Sequence, residues 1–205
     1  MVRCIRLSWR LLQQIMVSLH LIAVRASQED RRLLSSLSST IIVSNHPSLI
    51  DIVLLFSMTK DTTCLVRGGL SQNPLIRFIL ANAFIANDED PDKLISRSVG
   101  ALKKGYNLII FPEGTRNDGT PRKIKRGAAY IAIESLADVA VLKIRPSPPV
   151  LRKGRGWRDA GERRSVYDIG VQAILKTPDI IDTGKNQNLN ARAVTARIKE
   201  ALELQ

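Results

Sequence analysis

Two short polar clusters interrupt apolar stretches of the chain, and both contain residue types that move protons or hold anions. In Asn45-His46-Pro47-Ser48-Leu49-Ile50-Asp51, a histidine in a turn is followed five residues later by a carboxylate. A carboxylate bonded to one imidazole nitrogen fixes the tautomer and leaves the other nitrogen as a base. Ser48 is not in a G-x-S-x-G elbow and no cysteine is near, so activation of an acceptor hydroxyl by His46 fits better than a covalent serine route. Read alone, the same residues also fit a structural histidine near a helix start. In Phe111-Pro112-Glu113-Gly114-Thr115-Arg116, Gly114 lets backbone approach a ligand and Arg116 offers a planar fork suited to phosphate. Glu113 could hold a hydroxyl or pin Arg116, and the bland reading is a surface turn with a local ion pair.

The elements that must carry these clusters follow from periodicity. Thr40 to Ser44 is a short β-branched run that reads as a buried strand ending at Asn-His-Pro. Pro47 suits a first helical position, so Leu49 to Met58 is expected to be helical. Further on, Thr63 to Val66, Ala83 to Ala86, Asn107 to Phe111, Val139 to Ile144 and the alternating Tyr167 to Leu175 read as strands. Pro74 to Asn82, Asp90 to Lys104, Gly127 to Leu136 and Asn190 to Leu204 read as helices, with Gly105 closing the second of them. Gln28 to Ser39 reads as a polar, serine-rich segment. Strands alternating with helices predict an α/β fold, a single domain with a largely parallel sheet flanked by helices. In such sheets ligands bind beyond the carboxyl ends of the strands, where both clusters are expected to lie.

The 205 residues suit one compact domain, and 44% hydrophobic against 24% charged residues exclude a disordered or low-complexity class. Two cysteines, Cys4 and Cys64, exclude a disulfide scaffold or four-cysteine zinc site and make a reducing compartment the default. Neither a metal nor a redox cofactor is implied. The net charge of +12 points to an anionic partner. From Lys143 to Arg164, eight basic residues stand against Asp159 and Glu162, with Trp157 among them. A solvated loop is one reading; docking on anionic lipid or on an acidic carrier protein is another. No zinc pairs, RNP-like aromatic strand or zipper basic region is present, which argues against nucleic acid as the partner.

No stretch is long and apolar enough to span a bilayer. Residues 1–27 are expected to form an amphipathic helical region ahead of a catalytic domain at 28–205. Ile5, Trp9, Leu12, Met16 and Leu19 share one face, and Arg3, Arg6, Arg10 and Gln13 the opposite one. Such a helix suits a membrane interface, with its basic stripe toward anionic head groups. The alternative is a helix packed on the domain; a cleaved signal peptide is disfavoured by Gln13, Gln14 and Arg25.

Together the two clusters resemble the glycerolipid (lysophospholipid) acyltransferase family. The Asn-His-x-x-x-x-Asp motif is matched from Asn45 to Asp51 and Phe-Pro-Glu-Gly-Thr-Arg from Phe111 to Arg116, and the likeness runs roughly from Ile41 to Ile144. The resemblance implies an enzyme in which His46 deprotonates an acceptor hydroxyl and Asp51 orients His46. It also implies a thioester donor, acyl-CoA or acyl carrier protein, and a lysophospholipid-like acceptor held by Asn45, Glu113, Gly114, Thr115 and Arg116. Arg67 is carried over as a further binding residue. The setting so implied is the cytoplasmic face of a bacterial inner membrane, peripherally or monotopically bound, against an anionic surface. Two departures stand out. Phe84-Ile85-Ala86 is followed by Asn87 where the family's second motif has arginine, and Val139 to Ile144 lacks the fourth motif's proline. The run from Asn87 to Pro91 is similar to a bacterial subset that includes acyltransferases of aryl-polyene lipid assembly, which leaves such a lipid as an alternative acceptor. A silent membrane adaptor on the same fold is the non-enzymatic alternative.

Overall fold

A seven-stranded sheet in the order β1-β7-β6-β2-β5-β3-β4 runs through the centre of the protein. The structure, a computed structural model, describes residues 2–66, 84–87, 90–116, 123–151 and 163–203, with side chains from residue 6 onward. The strands are β1 (Ile22–Arg25), β2 (Ile41–Ser44), β3 (Thr62–Val66), β4 (Phe84–Ala86), β5 (Asn107–Ile110), β6 (Val139–Ser147) and β7 (Ser165–Leu175). The helices are α1 (Val2–Ser18), α2 (Gln28–Ser36), α3 (Asp51–Met58), α4 (Pro91–Lys103), α5 (Gly127–Ser135), α6 (Thr177–Ile180) and α7 (Gln187–Glu203). Strands β6, β2, β5, β3 and β4 run parallel, whereas β7 is antiparallel to β6 and β1 parallel to β7.

Alternate side chains of the central strands enter two separate cores. Ile42, Cys64, Ile109, Leu142, Ile144 and Tyr167 meet α1, α2 and α3 on one face. Ile41, Val43, Leu108, Val139 and Val141 meet α4, α5 and α7 on the other. Strand β2 is buried on both faces, as its Ile-Ile-Val run requires of a central parallel strand. The fold is thus the expected α/β layer structure, and the parallel strands bring their carboxyl ends to one edge.

Helix boundaries follow local chemistry. Asp90 caps α4 by accepting the Asp92 N–H at 2.9 Å, Pro91 fills the first turn, and Gly105 at φ +88° follows its end. Pro47 does not begin a helix. The Ile50 N–H is held by Ser48 Oγ at 3.3 Å, and α3 starts only at Asp51. The expected helix at Pro74 to Asn82 lies outside the described residues.

The first 27 residues are organised differently from the expected separate unit. Helix α1 stops at Ser18, His20 takes a left-handed backbone at φ +58°, and Ile22 to Arg25 joins the central sheet as an edge strand beside β7. The Leu-Ile-Ala-Val run from Leu21 has the composition of a strand, and Ser165 to Asp168 at the start of β7 offer it a pairing edge. Helix α2 then forms within the serine-rich segment, capped by Ser27 Oγ on the Asp30 N–H at 2.9 Å. The expected apolar face of α1 is split: Trp9 and Met16 pack inward on the core, Trp9 lying 6.2 Å from the Phe56 ring of α3. Leu12 and Leu19 instead point outward with Leu7, Leu11 and Ile15.

Candidate active site

The β2 strand delivers His46 to the edge of the sheet, and the residue before it fixes the delivery. Asn45 Nδ2 donates to the Ile144 carbonyl at 2.8 Å while the Ile144 N–H donates to Asn45 Oδ1 at 2.7 Å. The amide thereby continues the β2–β6 ladder by one rung. One N–H and the oxygen of its amide are engaged by β6, so Asn45 holds the turn.

His46 Nδ1 lies 2.9 Å from Asp51 Oδ2, with the histidine side chain 18% exposed and the aspartate fully buried. The imidazole also stacks on Phe111, ring centroids 4.1 Å apart and 18° from parallel. Two contacts therefore fix the ring plane and its rotation. With Nδ1–H donated to Asp51, Nε2 keeps its lone pair for a substrate proton.

Asp51 Oδ2 also accepts the Ser48 N–H at 2.7 Å. Its Oδ1 is buried without a hydrogen-bond partner among the described residues. Burial pushes the Asp51 carboxyl above its ordinary pKa; His46, the Ser48 N–H and the positive charge of Arg116 pull the other way. Asp51 opens α3, where the helix dipole also favours a negative charge.

The second cluster begins where β5 ends at Ile110. Val43 of β2 and Ile110 of β5 are paired neighbours, so the two polar turns leave adjacent parallel strands on the same edge. The turn closes by the Gly114 N–H on the Phe111 carbonyl at 3.0 Å, and the Lys125 N–H holds the Pro112 carbonyl at 2.9 Å. Gly114 sits at φ +71° with the Lys125 ammonium over it: a Cβ there would meet Nζ at 2.9 Å. Arg116 Nη1 donates to the Leu151 carbonyl at 3.1 Å, which ties the cluster to the segment after β6. Glu113, Gly114, Thr115 and Arg116 are all partly exposed at this edge.

The structure therefore brings His46, Asp51 and the residues from Glu113 to Arg116 together, and Arg67 lies outside the described residues. Asn87 follows β4, its N–H bonded to the Val66 carbonyl at 2.8 Å. Three participants escaped the sequence reading. Ser48 was weighed only as a nucleophile, whereas its Oγ lies 2.9 Å from the hydroxyl of Tyr167, a fully buried residue of β7. The third, Leu151, is buried and uses its carbonyl to hold Arg116. The alternation of β7 put Tyr167 inward, and a buried phenol needs a partner; which partner is a tertiary fact.

A buried aspartate bonded to a histidine thus lies beside an anion-suited turn, on adjacent ends of parallel strands. The chain belongs to the Acyltransferase family, whose model matches residues 9–147. It is 33% identical over 116 residues to the chloroplastic 1-acyl-sn-glycerol-3-phosphate acyltransferase LPAT1 of Arabidopsis thaliana, an alignment covering 54% of this chain and 32% of that protein. The 1-acyl-sn-glycerol-3-phosphate acyltransferase of Cocos nucifera is 33% identical over 105 residues, covering 46% of this chain and 33% of the relative. The chain thus spans about a third of the length of these relatives. The solved 1-acyl-sn-glycerophosphate acyltransferase PlsC of Thermotoga maritima shares the fold at a TM-score of 0.69 and 17% identity, covering 100% of this chain and 82% of that one.

Proposed function

We propose that the protein transfers an acyl group from a thioester, acyl-CoA or acyl carrier protein, to the free hydroxyl of a lysophosphatidate-like lipid at an anionic membrane surface. The observation that carries this reading is the bond from His46 Nδ1 to the buried Asp51 Oδ2, one strand away from the turn holding Gly114 and Arg116. The names of the Arabidopsis and coconut relatives and of the Thermotoga structure support the same acceptor class.

In this reaction His46 Nε2 takes the proton of the acceptor hydroxyl as its oxygen attacks the thioester carbon. The resulting imidazolium is stabilised by Asp51. Collapse of the tetrahedral adduct breaks the carbon–sulfur bond, and the proton on Nε2 passes to the leaving thiolate. The products are an ester and a free thiol, with His46 restored. Arg116, already anchored through one nitrogen on Leu151, presents its remaining donors to the acceptor's phosphate.

Substrates of this kind reside in a bilayer, and α1 supplies a surface to meet one. Leu7, Leu11, Leu12, Ile15 and Leu19 are exposed along it, followed by exposed Leu21. No helix among the described residues is long and apolar enough to cross a membrane. Strand β1 begins opposite Ser165, whose Oγ bonds the Pro148 carbonyl at 2.8 Å, so the C-terminal end of α1 lies at the active-site edge of the sheet. We assign this face to the lipid interface, with the chain's positive charge adding attraction to anionic head groups.

The test is transfer of labelled acyl from acyl-CoA and from acyl carrier protein to lysophosphatidate in anionic vesicles, with His46→Ala as control. His46-dependent ester product is expected. His46-dependent thioester hydrolysis without ester would move the acceptor to another lipid despite intact chemistry; no His46-dependent consumption of either thioester would overturn the proposal.

A further inference from the structure

We propose that Tyr167 is a positioning residue for the His46–Asp51 pair, acting through Ser48 from two strands away. The inference rests on the acyl-transfer reading above and concerns how the base is held.

Tyr167 is fully buried, among the largest side chains that are so, in the core that faces α1, α2 and α3. Its backbone is clamped on both sides, registered with Pro146 of β6 and Val24 of β1. A phenylalanine would fill the same apolar space without needing a polar partner. The hydroxyl nevertheless sits 2.9 Å from Ser48 Oγ, which is itself fully buried. Ser48 Oγ also accepts the Ile50 N–H at 3.3 Å, and the Ser48 N–H reaches Asp51 Oδ2 at 2.7 Å.

That N–H has a large share in placing the carboxylate. Asp51 Oδ2 receives His46 and Ser48, and Oδ1 has no hydrogen-bond partner among the described residues. A rotation of the Ser48 peptide would therefore move Asp51, and with it the imidazole. Tyr167 holds Ser48 by the one atom that packing alone cannot fix. Burial pushes the Tyr167 phenol up to about 12, with the nearby Asp51 charge adding to the rise, so the hydroxyl stays protonated throughout the working pH range. The chain of contacts continues outward, because Ser165 lies against the phenol and donates to the Pro148 carbonyl.

The experiment uses Tyr167→Phe and Ser48→Ala, each also in the His46→Ala background, with acyl-CoA and lysophosphatidate in vesicles. Both single variants should lose about tenfold in kcat with KM within about twofold, since small displacements of a catalytic group are costly. The double variant should be no slower than the slower single, and neither change should slow the residual rate of His46→Ala further. Unchanged kcat in a folded Tyr167→Phe, or a loss of the same size in the His46→Ala background, would overturn the proposal. A second readout needs no substrate: the downfield Nδ1–H proton resonance of His46, assigned by its disappearance in His46→Ala, should shift or broaden in Tyr167→Phe and in Ser48→Ala. An unmoved resonance would overturn the positioning role even if the wild type turns over no thioester, an outcome that by itself would remove the proposed function.

Discussion

Asp51 carries its carboxylate with no access to water, and function and stability pull on it in opposite directions. Burial raises its pKa above the ordinary value, and the groups that oppose this are His46, the Ser48 N–H and Arg116. A carboxyl more easily protonated in the fold than in the unfolded chain favours folding at low pH, and that contribution is lost as pH rises through the folded-state value. Asp51→Asn keeps an acceptor for Ser48 and His46 but removes the buried charge. It should therefore melt no lower than wild type at pH 7, with the difference moving in the wild type's favour as pH falls toward 4, by calorimetry. Transfer should drop roughly 100-fold or more, because a neutral amide no longer stabilises the imidazolium that forms on His46. A variant that melts well below wild type at pH 7 would contradict this account of the buried charge. At this scale His46, Asp51 and Arg116 were legible in the sequence because titratable and charged types stand out just past apolar strands, and Gly114 because it shares the turn with Glu113 and Arg116. Asn45 was legible as special but not as a ladder rung, since only the tertiary pairing of β2 with β6 brings Ile144 beside it.

Among the elements, α1 shows how an apolar stripe divides between two environments. Trp9 and Met16 pack on the core, whereas Leu7, Leu11, Leu12, Ile15 and Leu19 face outward. The sequence showed one amphipathic helix and offered packing and membrane contact as alternatives; the apolar arc is wide enough for the inner contact to leave a second, outward row. Leu11→Glu with Ile15→Glu should abolish flotation with anionic vesicles while leaving stability within about 0.5 kcal/mol per substitution, as exposed positions allow. Trp9→Ala should instead cost about 2 kcal/mol by removing its contact with Phe56, with Leu7 to Leu19 still available to lipid. Urea unfolding and vesicle flotation of both variants check the division, and loss of flotation on Trp9→Ala in a folded protein would contradict it. Strand β1 and helix α2 were hidden for different reasons. The first continues the apolar run of α1, so that only the left-handed turn at His20 separates them. The second is polar and serine-rich, and its stability comes from the Ser27 cap and the buried Leu34 rather than from a strong pattern.

Across the whole molecule, alternation of strand and helix was enough to foresee a largely parallel sheet with both polar clusters at its strand ends. It could not foresee that β7 runs back against β6 and carries β1 with it, because strand direction is not written in periodicity. That reversal has functional weight: it puts the start of β7, with Ser165 and Tyr167, at the same edge as His46, and brings the end of α1 there too. Three features thus meet on one edge of the sheet, a histidine bonded to a buried aspartate, an anion-suited turn and an apolar helix face. The central claim is that the base is His46, and the most direct test is the single-turnover rate of acyl transfer from thioester to lysophosphatidate by His46→Ala compared with wild type, at matched melting temperature and vesicle binding. The account predicts a loss of roughly 100-fold or more. A folded, membrane-bound His46→Ala protein retaining more than about a tenth of the wild-type rate would contradict it.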